Sequence, residues 1–336
     1  MISKDEITGA SAIRLHKFIR QITYMHISFT HPSKAFLPEI EAYSVFFKKY
    51  GIKTSVAKFP GFYNEEVDVE WYFMGMFFKK NPGVVTIHEY TSASVPPFPK
   101  IKNQLKKMLA IKPDCRIFLN DFVQKQFSFA DKIPSCIRDM GVDAIHRLSI
   151  IEKEYDFIYI GTVESKRKLD GLFECFGKGS LQNRTLLVLT TNYHKISHQM
   201  KEYNNIRFEG PVPHKQVLNY LQKAKFGINY VPDIHPYNQQ TSTKLLEYVA
   251  AGIPVITNQY AWVEQFEKKY GGNFFKIAAD FSNFNWKNIT EFSYKAPDLT
   301  DWIWEKQISK SGILQFLESR MDQKSIDQSG RSRLKV

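Results

Sequence analysis

Cysteine is nearly absent. Cys115, Cys136 and Cys175 are the only three in 336 residues, widely spaced and odd in number. With no Cys-x-x-Cys pair, neither a structural zinc site nor a disulfide framework is expected, and free thiols suit a reducing cytosol. No stretch approaches about 18 uninterrupted apolar residues, so no transmembrane helix is expected. The first twenty residues mix charges of both signs and hold no apolar run of signal-peptide length. No repeat of fixed period recurs. These absences lead us to expect a cytoplasmic chain whose membrane contact, if any, is peripheral on the inner face.

What is present points to packed cores. Hydrophobic residues make up 43% of the chain, with 27 Phe and 17 Tyr, and charged residues 24%, which argues against disorder. The length suits two domains of about 150 residues each. The net charge of +12 calls for an acidic partner: nucleic acid, an anionic membrane or a phosphorylated substrate. Basic residues are spread along the chain except at residues 99–112, where five lysines occur without an acid. No basic-aromatic ribonucleoprotein motif appears, so a nucleic-acid binder is the weakest alternative and no nucleic-acid partner is expected.

Hydrophobic periodicity alternates strand and helix. Residues 22–29 read as a strand, 37–50 as a helix ended by Gly51, and 52–59 as a second strand. Residues 84–88 and 116–119 read as further strands. Residues 99–110 are helical, with Ile101, Leu105, Met108 and Leu109 on one face. Residues 135–147 look like a turn-rich connection between domains. A second series follows: strands at 157–160, 186–191, 206–208, 226–231 and 254–257, and helices at 168–176, 215–223 and 243–251. Such alternation gives a doubly wound parallel α/β sheet. Residues 298–320 read as a helix and 321–336 as a frayed polar tail.

The densest chemical signal is the run from Thr241 to Thr257. Hydroxyls of Thr241, Ser242 and Thr243 open a helix whose Leu245, Leu246, Val249 and Ala250 face a core, and Gly252 ends it. The preceding strand delivers this loop at its carboxyl end, where open α/β sheets bind ligands. A helix N-terminus there offers unpaired N–H groups and about half a positive charge, suited to a diphosphate. The same hydroxyls also serve as ordinary N-caps, and the basic run Lys166-Arg167-Lys168 equally suits a solvated turn. Gly177-Lys178-Gly179-Ser180 fails as a phosphate-binding loop, because Ser or Thr does not follow the lysine directly. Asp68-Val69-Glu70 is a bare acid-x-acid triplet, and no histidines show metal spacing.

This segment resembles the donor-binding stretch of family-4-type retaining glycosyltransferases of the GT-B fold, with two Rossmann-like doubly wound α/β domains facing across a cleft. The resemblance is specific over residues 156–257. It implies that Glu247 holds the ribose hydroxyls of a nucleotide. The family's first glutamate falls on Gln239, which keeps an acceptor and loses the charge. Gly161 and Thr162 after a strand, with Lys166 and Arg167 beyond, match the loop that grips the donor pyrophosphate, although the family often has Arg where Thr162 stands. Phe208 and Gly210 match the segment that reads the nucleobase, Gly141-Val142-Asp143 resembles the domain link, and His88 matches a histidine that approaches the donor sugar. The family's glycine pair near the first strand is absent, with Thr30-His31-Pro32-Ser33 in its place.

The resemblance thus implies a metal-independent transferase without cofactor. It takes a nucleotide-sugar as co-substrate and a glycan or lipid-linked acceptor, in a polysaccharide or lipopolysaccharide pathway. On this resemblance His88, Lys166 and Arg167 are expected to be the catalytic residues. Gly161, Thr162, Phe208, Gly210, Gln239, Thr241, Ser242, Thr243, Lys244 and Glu247 hold the donor. The expected domains are 1–149 on the acceptor side and 150–297 on the donor side, with helix 298–320 packing back toward the first and a tail at 321–336. An epimerase or phosphorylase on the same fold is the alternative enzyme. The basic helix at residues 99–112 suits docking on an anionic membrane and equally a solvated helix face.

Overall fold

The computed structural model describes residues 25–32, 37–59, 66–73, 77, 79–143, 151–163, 169–191 and 193–333. The chain forms two compact units, one comprising the described residues up to Asp139 and from Trp304 onward, the other Met140–Ile303. Each contains a six-stranded sheet, parallel throughout, with helices in the connections. This is the α/β architecture the alternation predicts.

In the first unit the strands are β1 (His26–Pro32), β2 (Lys53–Phe59), β3 (Val69–Phe73), β4 (Val85–Tyr90), β5 (Cys115–Phe118) and β6 (Ser135–Ile137), ordered β2-β1-β3-β4-β5-β6. Central β4 and β5 are buried almost throughout, as parallel strands covered on both faces must be. The helices are α1 (Pro38–Lys48), α2 (Pro99–Leu109) and α3 (Asp121–Phe127). Helix α3 falls where the sequence reading names no element, and two strands differ from expectation. Strand β3 lies at the centre of the sheet where the sequence shows only a short run, and residues 135–137 form an edge strand rather than a turn. Glu70 interrupts the apolar run of β3, and the three residues of β6 are too few to show alternation.

A buried charge cluster joins the layers of this unit. Arg138 is fully enclosed, and its Nε donates to the Tyr43 hydroxyl at 3.0 Å. Its NH2 group meets Oε1 of Glu89 directly and lies 3.7 Å from Glu39 Oε1. The other Glu89 oxygen accepts from Trp71 Nε1 at 2.8 Å. Burial pushes the Glu39 carboxyl upward while Arg138 pulls it down. The guanidinium also lies 5.3 Å from the ring of Trp304.

The second unit holds β7 (Tyr155–Ile160), β8 (Leu186–Leu189), β9 (Ile206–Glu209), β10 (Ala224–Asn229), β11 (Val255–Asn258) and β12 (Phe275–Ile277), ordered β12-β11-β10-β7-β8-β9. Its helices are α4 (Asp170–Gly177), α5 (Tyr193–Gln199), α6 (His214–Gln222), α7 (Thr243–Ala250), α8 (Ala261–Tyr270) and α9 (Trp286–Glu291). Phe157, Phe173, Phe176, Leu186, Val188 and Phe284 anchor its core. Helix α10 (Trp304–Ser311) returns to the first unit, where Glu305 pairs with Lys49 at 2.7 Å. Helix α11 (Ile313–Arg333) then runs well past Met321, where the sequence reading expects fraying. No proline follows Pro297, so nothing removes a donor from its hydrogen-bond ladder.

Arg138→Ala should destabilise the first unit by about 3–5 kcal/mol, because it leaves Glu89 buried without its counter-charge. Urea denaturation followed by tryptophan fluorescence measures this.

Candidate functional site

The order of the second sheet defines where a ligand belongs. From β7 the chain moves outward through β8 and β9, then returns to place β10 on the other side of β7. The connections after β7 and β10 therefore leave in opposite directions, opening a crevice at the carboxyl ends of these two strands. Their pairing registers Ala224 on Tyr155, Phe226 on Phe157 and Gly227 on Ile158. Beyond that point one side chain takes over.

Tyr248, on α7, fills the gap. The amides of Phe157 and Gly161 bond to β8, so the Ile160 N–H faces β10. It donates to the Tyr248 hydroxyl at 3.0 Å, and that hydroxyl donates to the Ile228 carbonyl at 3.3 Å. The phenol thus replaces a missing rung of the ladder. Its ring needs Gly227, where a β-carbon would come 2.6 Å from the Tyr248 ring. Complete burial holds the phenol well above its usual range, so it stays protonated as this double role requires.

A second network fixes the start of α7. Asn229, fully buried at the end of β10, accepts from the Ser242 hydroxyl at 2.7 Å. Its amide donates to Thr257 Oγ1 at 3.0 Å and to the Tyr260 hydroxyl at 2.9 Å. Ser242 is the N-cap, and its oxygen accepts from the Leu245 N–H at 3.4 Å. Thr243 is the first helical residue. Lys244 follows and extends across β7's end, where a β-carbon on Gly161 would lie 2.5 Å from Lys244 Cε and 3.2 Å from Nζ. Gly161 has φ +149°, a conformation that favours glycine. Bare backbone, an ammonium group and a helix N-terminus therefore meet at one point.

Glu247 stands one turn further along α7. Its Oε1 lies 2.9 Å from Nε2 of His214, the first residue of α6, and its side chain keeps 20% of its surface exposed. This contact draws the connection after β9 into the same edge. Phe208 sits on β9 with its ring edge-on to Phe173, and Gly210 follows, where a β-carbon would come 2.8 Å from the Tyr193 ring. Thr162 and Thr241 are half-buried in the loops after β7 and before α7, and Gln239 ends a 3-10 turn, Tyr237–Gln239. The neighbouring Gln240 carries a buried Nε2 without a hydrogen-bond partner.

The structure thus gathers Gly161, Ser242, Thr243, Lys244 and Glu247 along the carboxyl edge of one sheet, with Phe208 and Gly210 reached through His214. Lys166 and Arg167 lie outside the described residues. His88 belongs to the other unit, where it is buried inside β4, which continues two residues beyond it. Its ring packs among Tyr72, Phe77 and Tyr90, and its Nε2 has no hydrogen-bond partner. Burial above all, then Arg116 and Lys80, pushes its pKa down to about 4, so the imidazole is neutral at pH 7. Asn229, Tyr248, His214 and Gln240 carry no motif, and sequence reading does not select them. Among the described residues no group of three or more His, Cys, Asp and Glu side chains is placed to hold a metal ion.

Tyr248→Phe should cost about 1–3 kcal/mol by stranding the Ile160 N–H and the Ile228 carbonyl, read by chemical denaturation. His88 supplies a pH signature. The unfolded chain takes up its proton below about 6.5 and the folded chain only near 4, so wild-type stability falls as pH drops through that window. His88→Phe should flatten the decline by up to about 3 kcal/mol, measured by denaturation at successive pH values.

Comparison with known proteins follows this geometry. Residues 163–283 match the family model described as glycosyl transferase-like. A search of curated protein sequences finds no significant match. Among solved structures the chain is similar to AviGT4, a glycosyltransferase involved in avilamycin A biosynthesis, at 12% identity and TM-score 0.54 over 90% of this chain and 97% of that one. It is also similar to sucrose-phosphate synthase of Thermosynechococcus elongatus, at 11% identity and TM-score 0.54 over 92% and 98% of the two chains. The UDP-GlcNAc 2-epimerase of Methanocaldococcus jannaschii, solved with UDP-GlcNAc and UDP, aligns at 11% identity and TM-score 0.51, over 87% and 100%. Two parallel six-stranded sheets with their helices match the GT-B glycosyltransferase structures, and the stretch beginning just past Gly161 carries a glycosyl transferase-like sequence signature on that fold.

Proposed function

We propose that the protein is a nucleotide-sugar-dependent glycosyltransferase that acts with retention and without a metal, passing a sugar to a glycan or lipid-linked acceptor. The observation that carries this reading is the meeting of Lys244, the α7 N-terminus and bare Gly161 at the β7/β10 switch point, beside the glycosyl transferase-like segment.

In this reading the donor diphosphate rests against the N-terminus of α7, and the Lys244 ammonium offsets its charge. Lys166 and Arg167 supply further cations from the loop after β7. Fixed positive groups of this kind stabilise the charge that grows on a departing diphosphate. Glu247 accepts from the ribose hydroxyls, and the His214 contact holds its carboxylate in place. Backbone around Phe208 and Gly210 contacts the base. Gln239 and the unmet Gln240 amide face the donor. The glycosidic bond opens through an oxocarbenium-like state while the acceptor arrives on the face the diphosphate leaves. No protein nucleophile is needed, and the protein contributes orientation and electrostatics.

The epimerase similarity supports a second reading on the same fold, which would change a nucleotide-sugar without an acceptor. One set of experiments separates the two. UDP-, GDP- and ADP-sugars are screened for thermal stabilisation, and the stabilising donor is then used for calorimetry and for product analysis in EDTA. Glu247→Ala should weaken nucleotide binding by about 10–100-fold, since it removes hydrogen bonds to a charged group. Transfer should proceed in EDTA and give a product with the donor's anomeric configuration. Affinity within about twofold of wild type would refute the Glu247 assignment. An epimerised nucleotide-sugar formed without acceptor would replace the transferase reading.

A further inference from the structure

Helix α2 is mounted inside out. An amphipathic helix on a globular protein normally turns its apolar stripe to the core. Here the one buried side chain of the helix is polar: Asn103 accepts from the Ser94 N–H at 3.3 Å and donates to the Gln126 carbonyl at 3.4 Å. Ile101, Leu105, Met108 and Leu109 share the opposite face and are exposed by 58%, 48%, 77% and 49%. Phe98, just before the helix, is 70% exposed. Leu105 and Leu109 continue into the wall of a cavity of about 410 Å³, lined also by Ala93 and Val95. A contiguous apolar surface of this kind marks an interaction site.

The charges identify what covers it. Residues 99–112 contain five lysines and no acid. Lys100 is exposed, whereas three others reach back toward the protein. Lys102 Nζ donates to the Val95 carbonyl at 3.0 Å, Lys107 Nζ to the Ser128 carbonyl at 3.0 Å, and Lys106 lies over the Phe127 ring. The ammonium groups are therefore set back from the apolar stripe on its protein side. A helix lying flat in a membrane interface has this arrangement, with apolar side chains among the acyl chains and lysines at the depth of the phosphates. A second copy of the chain would bring lysines against lysines, so charge favours an anionic surface.

We propose that residues 98–109 dock the protein on a bilayer carrying anionic lipid. This goes beyond the transferase reading and does not depend on which sugar is moved. The test is co-sedimentation of the full chain with sucrose-loaded vesicles, made of phosphatidylcholine alone or with about one third phosphatidylglycerol. Partitioning should rise at least about tenfold on the anionic vesicles, since each lysine near such a surface adds attraction. Ile101→Ser with Met108→Ser should lower it at least about tenfold. Lys100→Glu should lower it several-fold on anionic vesicles only. Both positions of the double variant are more than half exposed, so its thermal melting and nucleotide binding should match wild type. Docking and donor binding thus fail independently. Equal partitioning on both vesicle types, or undiminished partitioning of the double variant, overturns the proposal. So does a dimer in sedimentation equilibrium that the double variant disperses, because the stripe would then bind a second copy.

Discussion

A doubly wound sheet must part somewhere, and where β7 and β10 part, the hydroxyl of Tyr248 completes the broken ladder. Backbone groups freed at a switch point face two outcomes: they are exposed to a ligand, or they are met by a side chain. Here one of each kind is met by a single phenol on α7. That contact does more than satisfy hydrogen bonds. It seats α7 at a fixed height over the crevice, which determines where Ser242 begins the helix and where Lys244 and Glu247 emerge. The Asn229 network fixes the same helix from its other end of the loop, through the Ser242 hydroxyl. Two buried polar groups, the Tyr248 phenol and the Asn229 amide, therefore position Lys244 and Glu247.

The two units organise buried polarity differently. The first encloses a charged cluster, with Arg138 answering Glu89 and partly Glu39, and spends it on joining α1, β4 and α10. The second unit pairs its buried Asp156 with Lys225 at the start of β7 and β10, but at the carboxyl ends of these strands it relies on neutral donors and acceptors: an amide, hydroxyls and a phenol. The groups that seat α7 are neutral, so among the described residues the charge at the crevice is that of Lys244, Glu247 and the helix terminus. Gln239 adds no further negative charge beside the loop.

Much of the architecture was legible in the sequence. The strands of the second unit stand out because they are short apolar runs closed by turn residues, and the helix from Thr243 because its apolar spacing ends at Gly252. Helix α8, strand β12 and central strand β3 were not seen. Their apolar residues are few or interrupted by charge, and only the neighbouring strands make sense of them. Of the candidate site, the residues belonging to a contiguous motif were found and those assembled by tertiary contact were not. Glu247 is conspicuous as an acid on an apolar helix, but its partner His214 is thirty-three positions away. Asn229 and Tyr248 look like ordinary strand and helix residues until the sheet places them. Helix α2 shows the limit most sharply: periodicity gives its apolar face correctly and says nothing about which way that face is turned.

The fit of the Tyr248 ring on Gly227 bears on how such a protein diverges. A methyl group at position 227 would occupy the space of the ring, and a smaller residue at 248 would leave a hole and two stranded backbone groups. Neither position drifts alone. Related chains that depart from this pair should therefore have exchanged both members, a larger residue at 227 arriving only with a smaller one at 248.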